Sequence, residues 1–486
     1  MHIDLSAYTP PHRAELEALL AADDWQEVLA SGAVDAVRRE RLEPGKTRPF
    51  VDGTLQPLLA RNRARAQDLV ASGVADEDAL LDALGDWSAG GGPVDAPISF
   101  LGLNLTADCN LRPRCAYCNQ PRVPSVVDLA GWKEVVRQAT TPQDGLGPYI
   151  YITGGEPLTL GEAIWGEGGL VRYATARGAG VNVNTNATLI TPRVALALVR
   201  AGTLRLHISL DTGDPDLHDA LRGRPGLSAV LRGIYNVQLA RELVGVAYPG
   251  MHTNCVLTRS SLAGFEALFS FILRIRRVTA DPKDPLFNDL FPHVVPVGGA
   301  SNDRLRPTAE EFRRFYGGIW PRVAAQWDEH QAALGVPAGD RRALFGYFSN
   351  PFLRVTHRGG LEAYVQASAE ARYGRLALSR HCYVAPTQAA FTPDGTQYRC
   401  GAHAIRHVRP LGTVERGGLR DHIHSGLPGL EGLPDADICD GCALATLYIN
   451  QEVEARLRRE ARALLGRPDG APDELDAPLA EEIDEI

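Results

Sequence analysis

The sequence predicts an α/β protein organised around a partial (βα)6 barrel, with a helical N-terminal extension and a small C-terminal domain that carries cysteines. From residue 98 onward, short apolar runs alternate with stretches of helical periodicity, which favours a parallel sheet with right-handed crossovers. Glycine-rich and polar motifs come directly after several of these runs. In parallel sheets the ligand site lies at the carboxyl ends of the strands, so these motifs are expected to meet there.

Six strands and five intervening helices are predicted from this pattern. The predicted strands are Ile98–Leu105, Tyr149–Thr153, Val181–Thr185, Leu204–Leu210, Met251–Leu257 and His293–Val297. The predicted helices are Leu129–Ala139, Leu170–Arg177, Pro192–Ala201, Leu227–Leu239 and Leu262–Ile275. Thr191 followed by Pro192 is a typical helix start, because threonine caps the free backbone N–H groups and proline fits the first helical position.

The chain divides by pattern into five regions. We expect a helical extension over 1–96, the barrel over 97–300, a bridging helical or irregular segment over 301–380, a cysteine-bearing domain over 381–450, and a closing helix with an acidic tail over 451–486. The tail Asp469–Ile486 accounts for eight of the nine net negative charges of the 486-residue chain. We predict that it is solvated and disordered.

Composition narrows the class of protein. Without its tail the chain is close to neutral, so it lacks the net positive charge that is typical of nucleic-acid-binding proteins. No apolar stretch is long enough to span a membrane, and the N-terminus lacks a signal-peptide pattern. We therefore expect a cytoplasmic protein. In that compartment its eight cysteines are better interpreted as ligands than as disulfides.

Three cysteines follow the first predicted strand in one short loop. Cys109, Cys115 and Cys118 are separated by five and by two residues, and Tyr117 stands just before the last of them. Thiolates are soft ligands, so zinc, an iron–sulfur cluster and a redox thiol all remain open. A closed zinc site or an ordinary four-cysteine cluster needs four ligands, whereas three leave one position for another molecule.

Three further motifs follow later strands. Gly154-Gly155-Glu156-Pro157 follows the second strand, and its glycines would let backbone approach a ligand while the carboxylate holds an ammonium group. The third strand ends in Thr185-Asn186. The fourth ends with Ser209 and Asp211 on one face, where a hydroxyl and a carboxylate could serve as strand-end caps or bind a ribose.

A second cysteine group lies near the C-terminus. Cys382 and Cys400 flank a predicted β-hairpin whose turn is Pro-Asp-Gly, and Cys439 and Cys442 form a Cys-x2-Cys pair. Four thiolates complete a tetrahedral set, so a structural zinc site is an alternative to a cluster.

In these motifs the chain resembles the radical S-adenosylmethionine (SAM) superfamily, with a C-terminal extension of the SPASM or twitch type. It departs from the commonest family pattern in the first cysteine gap, which has five residues instead of three. The resemblance implies a 4Fe-4S cluster on the catalytic Cys109, Cys115 and Cys118, with SAM on the fourth iron. It implies a second, auxiliary 4Fe-4S cluster on Cys382, Cys400, Cys439 and Cys442.

The resemblance also implies the residues that bind SAM. The Gly154–Pro157 turn would contact its amino group, Thr185 and Asn186 would line the site, and Ser209 and Asp211 would bind the ribose. A His-Asp…Arg-Gly motif ends at Arg222, which would reach the carboxylate or ribose of SAM. Tyr117 would lie at the mouth of the cluster loop.

The function that this resemblance implies is reductive cleavage of SAM to a 5′-deoxyadenosyl radical, followed by abstraction of a hydrogen atom from a substrate. We expect an oxidoreductase that oxidises or cross-links a peptide in natural-product maturation, with flavodoxin or ferredoxin as electron donor. One alternative is dehydrogenation or rearrangement of a small polar metabolite such as an aminocyclitol or sugar. An alternative from another class is a non-enzymatic zinc protein.

Overall fold

The computed structural model describes residues 3–89, 92–120, 122–140, 145–299, 302–342, 360–376, 379–430, 433–434, 439, 442 and 444–467. The predicted acidic tail lies outside these residues. Backbone contacts divide the chain into two compact units. The first comprises Met1–Gly45, Thr106–Arg122 and Tyr151–Asn350, and the second Lys46–Leu105, Val123–Ile150 and Pro351–Ile486.

Nine strands occur in the described ranges. In chain order they are β1 Phe100–Asn104, β2 Tyr149–Thr153, β3 Gly180–Thr185, β4 Arg205–Ser209, β5 Gly250–Leu257, β6 Phe291–Pro296, β7 Gln388–Phe391, β8 Thr396–Tyr398 and β9 Gly412–Thr413. The α-helices are α1 Pro10–Leu20, α2 Asp23–Ala30, α3 Ala33–Glu40, α4 Phe50–Ala71, α5 Glu77–Gly85, α6 Leu129–Ala139, α7 Glu162–Trp165, α8 Leu170–Thr175, α9 Pro192–Arg200, α10 Pro215–Arg222, α11 Leu227–Val244, α12 Phe265–Ile275, α13 Ala309–Arg314, α14 Trp320–Ala333, α15 Gly360–Glu370, α16 Gly401–Arg406, α17 Leu419–Ser425 and α18 Leu444–Leu464.

The first unit is built on parallel strands. β3 pairs with β4, β4 with β5 and β5 with β6, all in parallel register. Along β5 the side chains alternate between fully and partly buried, which separates an apolar face from a more polar one. The predicted α/β class with a parallel sheet is therefore confirmed.

Caps that can be recognised in the sequence define several helix starts in this unit. The hydroxyl of Thr191 accepts a hydrogen bond from the Val194 N–H, directly before Pro192 begins α9. Thr308 and Glu311 form a reciprocal capping box at the start of α13. A π-helical segment, Phe315–Ile319, then connects α13 to α14.

The second unit combines a small sheet with three long helices. β1 pairs parallel with β7, and β7–β8 and β8–β9 are antiparallel. The turn between β7 and β8 contains Pro-Asp-Gly, with Gly395 at φ +78° in the left-handed region. α18 lies against α4 and α5 through ion pairs such as Arg63–Glu460 at 2.7 Å and Arg456–Asp52 at 2.8 Å.

Most predicted elements of the barrel region lie within two residues of their observed ends, α11 being longer than predicted. Three helices of the N-terminal region, α2, α3 and α4, were covered only by the general expectation of a helical segment. The division into five linear regions stays a prediction. Within the described ranges, none of the helices combines the length and apolar character that crossing a bilayer requires.

Candidate functional site

The Gly154-Gly155 turn, which follows β2, supports the start of the loop that carries Cys109. The Gly155 N–H donates to the Thr106 carbonyl and the Glu156 N–H donates to the Asp108 carbonyl, each at 2.7 Å. A Cβ on residue 155 would lie 1.9 Å from the Asp108 carbonyl oxygen, and Gly154 has φ +144°. Only glycines allow the two backbones to approach this closely.

Glu156 is buried and joins two strand ends. Its carboxylate accepts hydrogen bonds from the Asn186 N–H at 2.7 Å, the Thr185 hydroxyl at 2.8 Å and the Leu158 N–H at 3.1 Å. Burial raises its pKa to about 7, against the opposing effect of these donors. The contact of Glu156 with the ammonium group of a ligand stays a prediction. Pro157 begins the short 3-10 turn Pro157–Leu160 that follows.

Asn186 connects the end of β3 to the cysteine loop. Its Nδ2 donates to the Asn110 Oδ1 at 2.8 Å and lies 4.0 Å from the Cys109 Sγ, while Asn110 Nδ2 donates to the Thr188 hydroxyl at 2.8 Å. Sequence reasoning missed Asn110 and Thr188. The position of Asn110 directly after the first cysteine is the signal that could have indicated it.

Asp211, Arg222, Tyr117 and Cys115 form a second, buried network on the other side of the loop. The Arg222 guanidinium is 2.7 Å from the Asp211 carboxylate and 3.7 Å from the Cys115 Sγ. The Tyr117 hydroxyl donates to Asp211, and Arg222 lies over the Tyr117 ring at 5.5 Å. Asp211 also accepts the Val256 N–H at 2.8 Å. Asp211 is thus surrounded by protein donors.

The buried positive charge of Arg222 is paired with a negative charge of the protein itself, the Asp211 carboxylate. Burial alone would lower the pKa of Arg222, but the negative groups around it, Asp211 foremost, raise it overall. Burial raises the pKa of Tyr117 well above its usual range. The backbone adds a further tie, because the Ala116 N–H donates to the Leu221 carbonyl at the end of α10. The cysteine loop is therefore clamped to that helix end.

The three loop thiols influence one another electrostatically. Burial raises the pKa of Cys109, and the thiols of Cys115 and Cys118 raise it further. Burial likewise raises the pKa of Cys115, an effect that the neighbouring Arg222 opposes. In the described part of the chain, no group of three or more histidine, cysteine, aspartate or glutamate side chains meets the criteria for holding a metal ion.

The last predicted residue of this site, Ser209, lies on β4. Ser209 is half-buried at the end of β4, in register with Asn254 on β5. Cys255 belongs to the opposite, fully buried face of β5, where its thiol donates to the Asp211 carbonyl at 3.6 Å. Cys255 therefore packs in the interior of the unit.

The four C-terminal cysteines come together in the second unit. Burial raises the pKa of Cys442 well above its usual range, and the other three thiols of the group raise it further. The Asn450 amide donates to Cys382 Sγ at 3.8 Å, and Cys400 Sγ lies 3.0 Å from His403 Nδ1. His403, on α16, is a neighbour that sequence reasoning did not single out. The four thiols therefore lie near enough to influence one another electrostatically.

The fold and site define a parallel α/β domain with a three-thiol loop held at the carboxyl ends of its strands. Residues 103–254 match the family model described as "Radical SAM superfamily". This part of the chain is therefore similar to the radical SAM domain, and the match covers less than half of the chain.

Curated proteins with similar sequences extend over part of the chain. The mycofactocin maturase MftC of Mycolicibacterium smegmatis is 30% identical over 261 residues, which is 50% of this chain and 58% of the relative. The AdoMet-dependent heme synthase of Methanosarcina barkeri is 32% identical over 144 residues, which is 29% of this chain and 39% of the relative. The chain thus spans between about two fifths and three fifths of these relatives.

Solved structures show a more distant likeness. SuiB of Streptococcus suis bound to S-adenosylmethionine shares 18% identity at a TM-score of 0.44, covering 73% of this chain and 72% of that chain. Native anSMEcpe with bound AdoMet shares 16% identity at a TM-score of 0.47, covering 76% of this chain and 96% of that chain.

Proposed function

We propose that the protein is a radical SAM enzyme in which Cys109, Cys115 and Cys118 hold a 4Fe-4S cluster. The observation that carries this proposal is the three-thiol loop, supported by the Gly154-Gly155 turn inside the matched range 103–254. Three soft donors suit a cluster that leaves one iron open. When bound, this cluster and SAM supply one-electron reductive cleavage of SAM to a 5′-deoxyadenosyl radical and abstraction of a substrate hydrogen atom.

The protein's own residues would orient SAM and exclude water around it. The backbone of Gly154 and Gly155, with Pro157 and Tyr117, would line the methionine side of the site. Thr185, Asn186 and Ser209 would line the remainder. Glu156, Asp211 and Arg222 would fix the cysteine loop in position through their protein partners, and their contacts to SAM stay a prediction.

Cys382, Cys400, Cys439 and Cys442 are proposed to hold an auxiliary 4Fe-4S cluster in a twitch-like domain. The mutual effect of the four thiols on their pKa values supports a shared site. Four protein ligands leave no iron open for a substrate, so this cluster would transfer an electron instead. A structural zinc ion on the same four thiols is the competing assignment.

The proposed substrate is a peptide, modified by net oxidation or cross-linking during natural-product maturation. Support comes from the similarity to a protein named as a mycofactocin maturase, which covers 50% of this chain. An auxiliary cluster would suit oxidation, because it can accept the electron released from the substrate. A flavodoxin or ferredoxin would be the electron donor to the first cluster.

A small molecule is the second candidate substrate. Two relatives of comparable identity are named AdoMet-dependent heme synthase and GTP 3′,8-cyclase, and both names refer to small molecules. Dehydrogenation or rearrangement of a small polar metabolite therefore remains the alternative reaction.

Iron and sulfide counting after anaerobic reconstitution tests both cluster assignments. We expect about eight irons in the wild type and about four when Cys109, Cys115 and Cys118 are all replaced by alanine. The same triple variant should stop forming 5′-deoxyadenosine from SAM under reductant. Cys255→Ala is the matched control, because this eighth cysteine lies on the fully buried face of β5 and belongs to neither group, so the iron content should be unchanged.

Other metal contents would change the proposal in defined ways. About four irons together with zinc would reassign the C-terminal cysteines to a structural zinc site. The radical SAM activity proposed for the first three cysteines would stand. Zinc alone, without cleavage of SAM, would contradict the radical SAM activity and favour a non-enzymatic zinc protein.

A further inference from the structure

A histidine outside the predicted cysteine motifs lies against one of the four C-terminal thiols. His403 Nδ1 is 3.0 Å from Cys400 Sγ, which is within hydrogen-bond distance for a contact that involves sulfur. Cys400 directly precedes α16, and His403 lies in the first turn of this helix. Residues three positions apart are neighbours on one face of a helical turn, so the spacing Cys-x2-His places the imidazole beside the thiol.

The contact between His403 and Cys400 is shielded from water on the histidine side. Only 2% of His403 is exposed. Burial also raises the pKa of Cys400, an effect that the backbone N–H groups of His403 and Ala402 oppose. A hydrogen bond is electrostatically stronger in a low-dielectric interior than in water. A change of charge on the Cys400 sulfur therefore acts on His403 with little screening.

The chemistry of a metal ligand decides which of the two atoms donates. A thiolate that ligates a metal carries no proton, so its sulfur can only accept a hydrogen bond. The hydrogen between the two atoms must then belong to Nδ1 of His403. This donor is present whether or not the ring carries a second proton at Nε2, so the contact does not depend on titration of the ring.

A second side-chain contact to the same group of thiols is longer. Asn450 Nδ2 lies 3.8 Å from Cys382 Sγ and also donates to the Thr446 carbonyl at 3.0 Å. The Asn450 side-chain oxygen accepts the Val384 N–H at 3.1 Å. The two backbone contacts are the shorter ones, so Asn450 mainly holds the chain next to Cys382. His403 makes the closer contact with a sulfur atom, and its hydrogen bond is the stronger of the two.

We propose that His403 raises the reduction potential of the auxiliary cluster by donating a hydrogen bond to the Cys400 thiolate. This inference rests on the cluster assignment proposed above. Reduction adds one electron to the cluster and increases the negative charge on its sulfur ligands, and a donor N–H stabilises that charge. The hydrogen bond of His403 therefore favours the reduced state. A higher potential suits a cluster that accepts the electron released when the substrate is oxidised.

The reduction potential of the full-length protein tests this role. The variant in which Cys109, Cys115 and Cys118 are alanine isolates the auxiliary cluster, and an anaerobic redox titration followed by electron paramagnetic resonance measures its potential. Adding His403→Phe should lower the equilibrium constant for one-electron reduction at least about tenfold, which corresponds to about 59 mV. His403→Leu, which also lacks a donor, should have the same effect. His403→Asn should have a smaller effect, because its amide nitrogen can take the place of Nδ1.

His407→Asn is the matched control. His407 is exposed directly after α16, and its Nδ1 lies 3.3 Å from the Tyr398 hydroxyl. Asparagine tolerates the left-handed backbone of this residue, which has φ +53°. The control variant should keep the potential of the triple-alanine protein. Iron is counted in every variant, and about four irons per chain show that the auxiliary cluster is intact.

Three results would overturn the inference. The first is an unchanged potential in His403→Phe and His403→Leu with the iron retained. The second is a shift of equal size in His403→Asn, which would attribute the effect to packing. The third is loss of the iron from all three His403 variants, which would make His403 a ligand. Retention of iron in His403→Asn alone would support the hydrogen bond, since only this variant keeps a donor.

The metal content separates failure of this inference from failure of the cluster assignment. Zinc in place of iron on the four C-terminal cysteines would overturn both. An iron–sulfur cluster whose potential does not depend on His403 would overturn only the inference about the histidine.

Discussion

Replacing Glu156 with alanine tests whether this carboxylate supports the cysteine loop or contacts a ligand directly. The buried side chain accepts hydrogen bonds from the backbone N–H groups of Asn186 and Leu158 and from the Thr185 hydroxyl. Its removal leaves two backbone donors without an acceptor, whereas the hydroxyl can rotate toward another. At about 1–3 kcal/mol for each unsatisfied buried donor, the free energy of unfolding should fall by about 2–6 kcal/mol.

Urea unfolding of the anaerobic protein, followed by tryptophan fluorescence, measures this loss, with iron content and SAM affinity determined on the same samples. Glu167→Ala is the control, because the Glu167 side chain is 76% exposed and such surface groups contribute at most about 1 kcal/mol. We expect Glu156→Ala to lower the urea midpoint and the iron content together. An unchanged midpoint with loss of SAM affinity alone would refute the support role and show a direct ligand contact.

Three further variants test the roles of Gly155, Arg222 and His293. Gly155→Ala should lower the urea midpoint and the iron content, because its Cβ would lie 1.9 Å from the Asp108 carbonyl oxygen; wild-type values for both would show that the turn can move aside. Arg222→Gln should cost about 3–5 kcal/mol of unfolding free energy by leaving Asp211 buried without its cation, and adding Asp211→Asn should restore part of it; no rescue in the double variant would contradict the pairing. The pKa of His293 falls from 6.5 to about 4 in the fold, so its contribution to stability is complete above pH 6.5 and is lost as the pH falls toward 4. The loss amounts to roughly 2 kcal/mol between pH 7 and 5, and His293→Gln should flatten that part of the stability–pH curve; an unchanged slope would contradict the prediction.

The parallel sheet could be predicted because its signals are local. The sequence around β2 to β5 alternates apolar runs with helical periodicity, and Thr191-Pro192 marks a helix start within that pattern. The helices α2, α3 and α4 could not be delimited in the same way. α4 contains Pro57 in its interior, which by propensity argues against a continuous helix. Tertiary packing stabilises this helix instead, since its side chains Leu55, Leu58 and Ala66 are buried.

The sequence motifs single out candidate site residues but do not show which protein groups these residues contact, and their contacts to SAM stay a prediction. Motif spacing selected Glu156, Asp211 and Arg222, because carboxylates and guanidinium groups after strands suit a charged ligand. Spacing does not indicate which protein groups contact these side chains. In the structure all three side chains make hydrogen bonds or ion pairs with other residues of the protein.

The contacts of Arg222 explain how the His-Asp…Arg-Gly motif at the end of α10 supports the cysteine loop. Its guanidinium contacts both the Asp211 carboxylate and Cys115 Sγ. The guanidinium therefore neutralises the charge of the carboxylate at all times, whereas the Cys115 sulfur becomes negative only when it is a thiolate. A thiolate that ligates a cluster carries that charge, and the buried guanidinium would stabilise it. Arg222→Lys keeps the charge but loses the planar group that reaches two partners at once. We therefore expect this variant to retain most of the folding stability and to lose iron more readily to a chelator than the wild type. Equal rates of iron loss would show that charge alone suffices at this position.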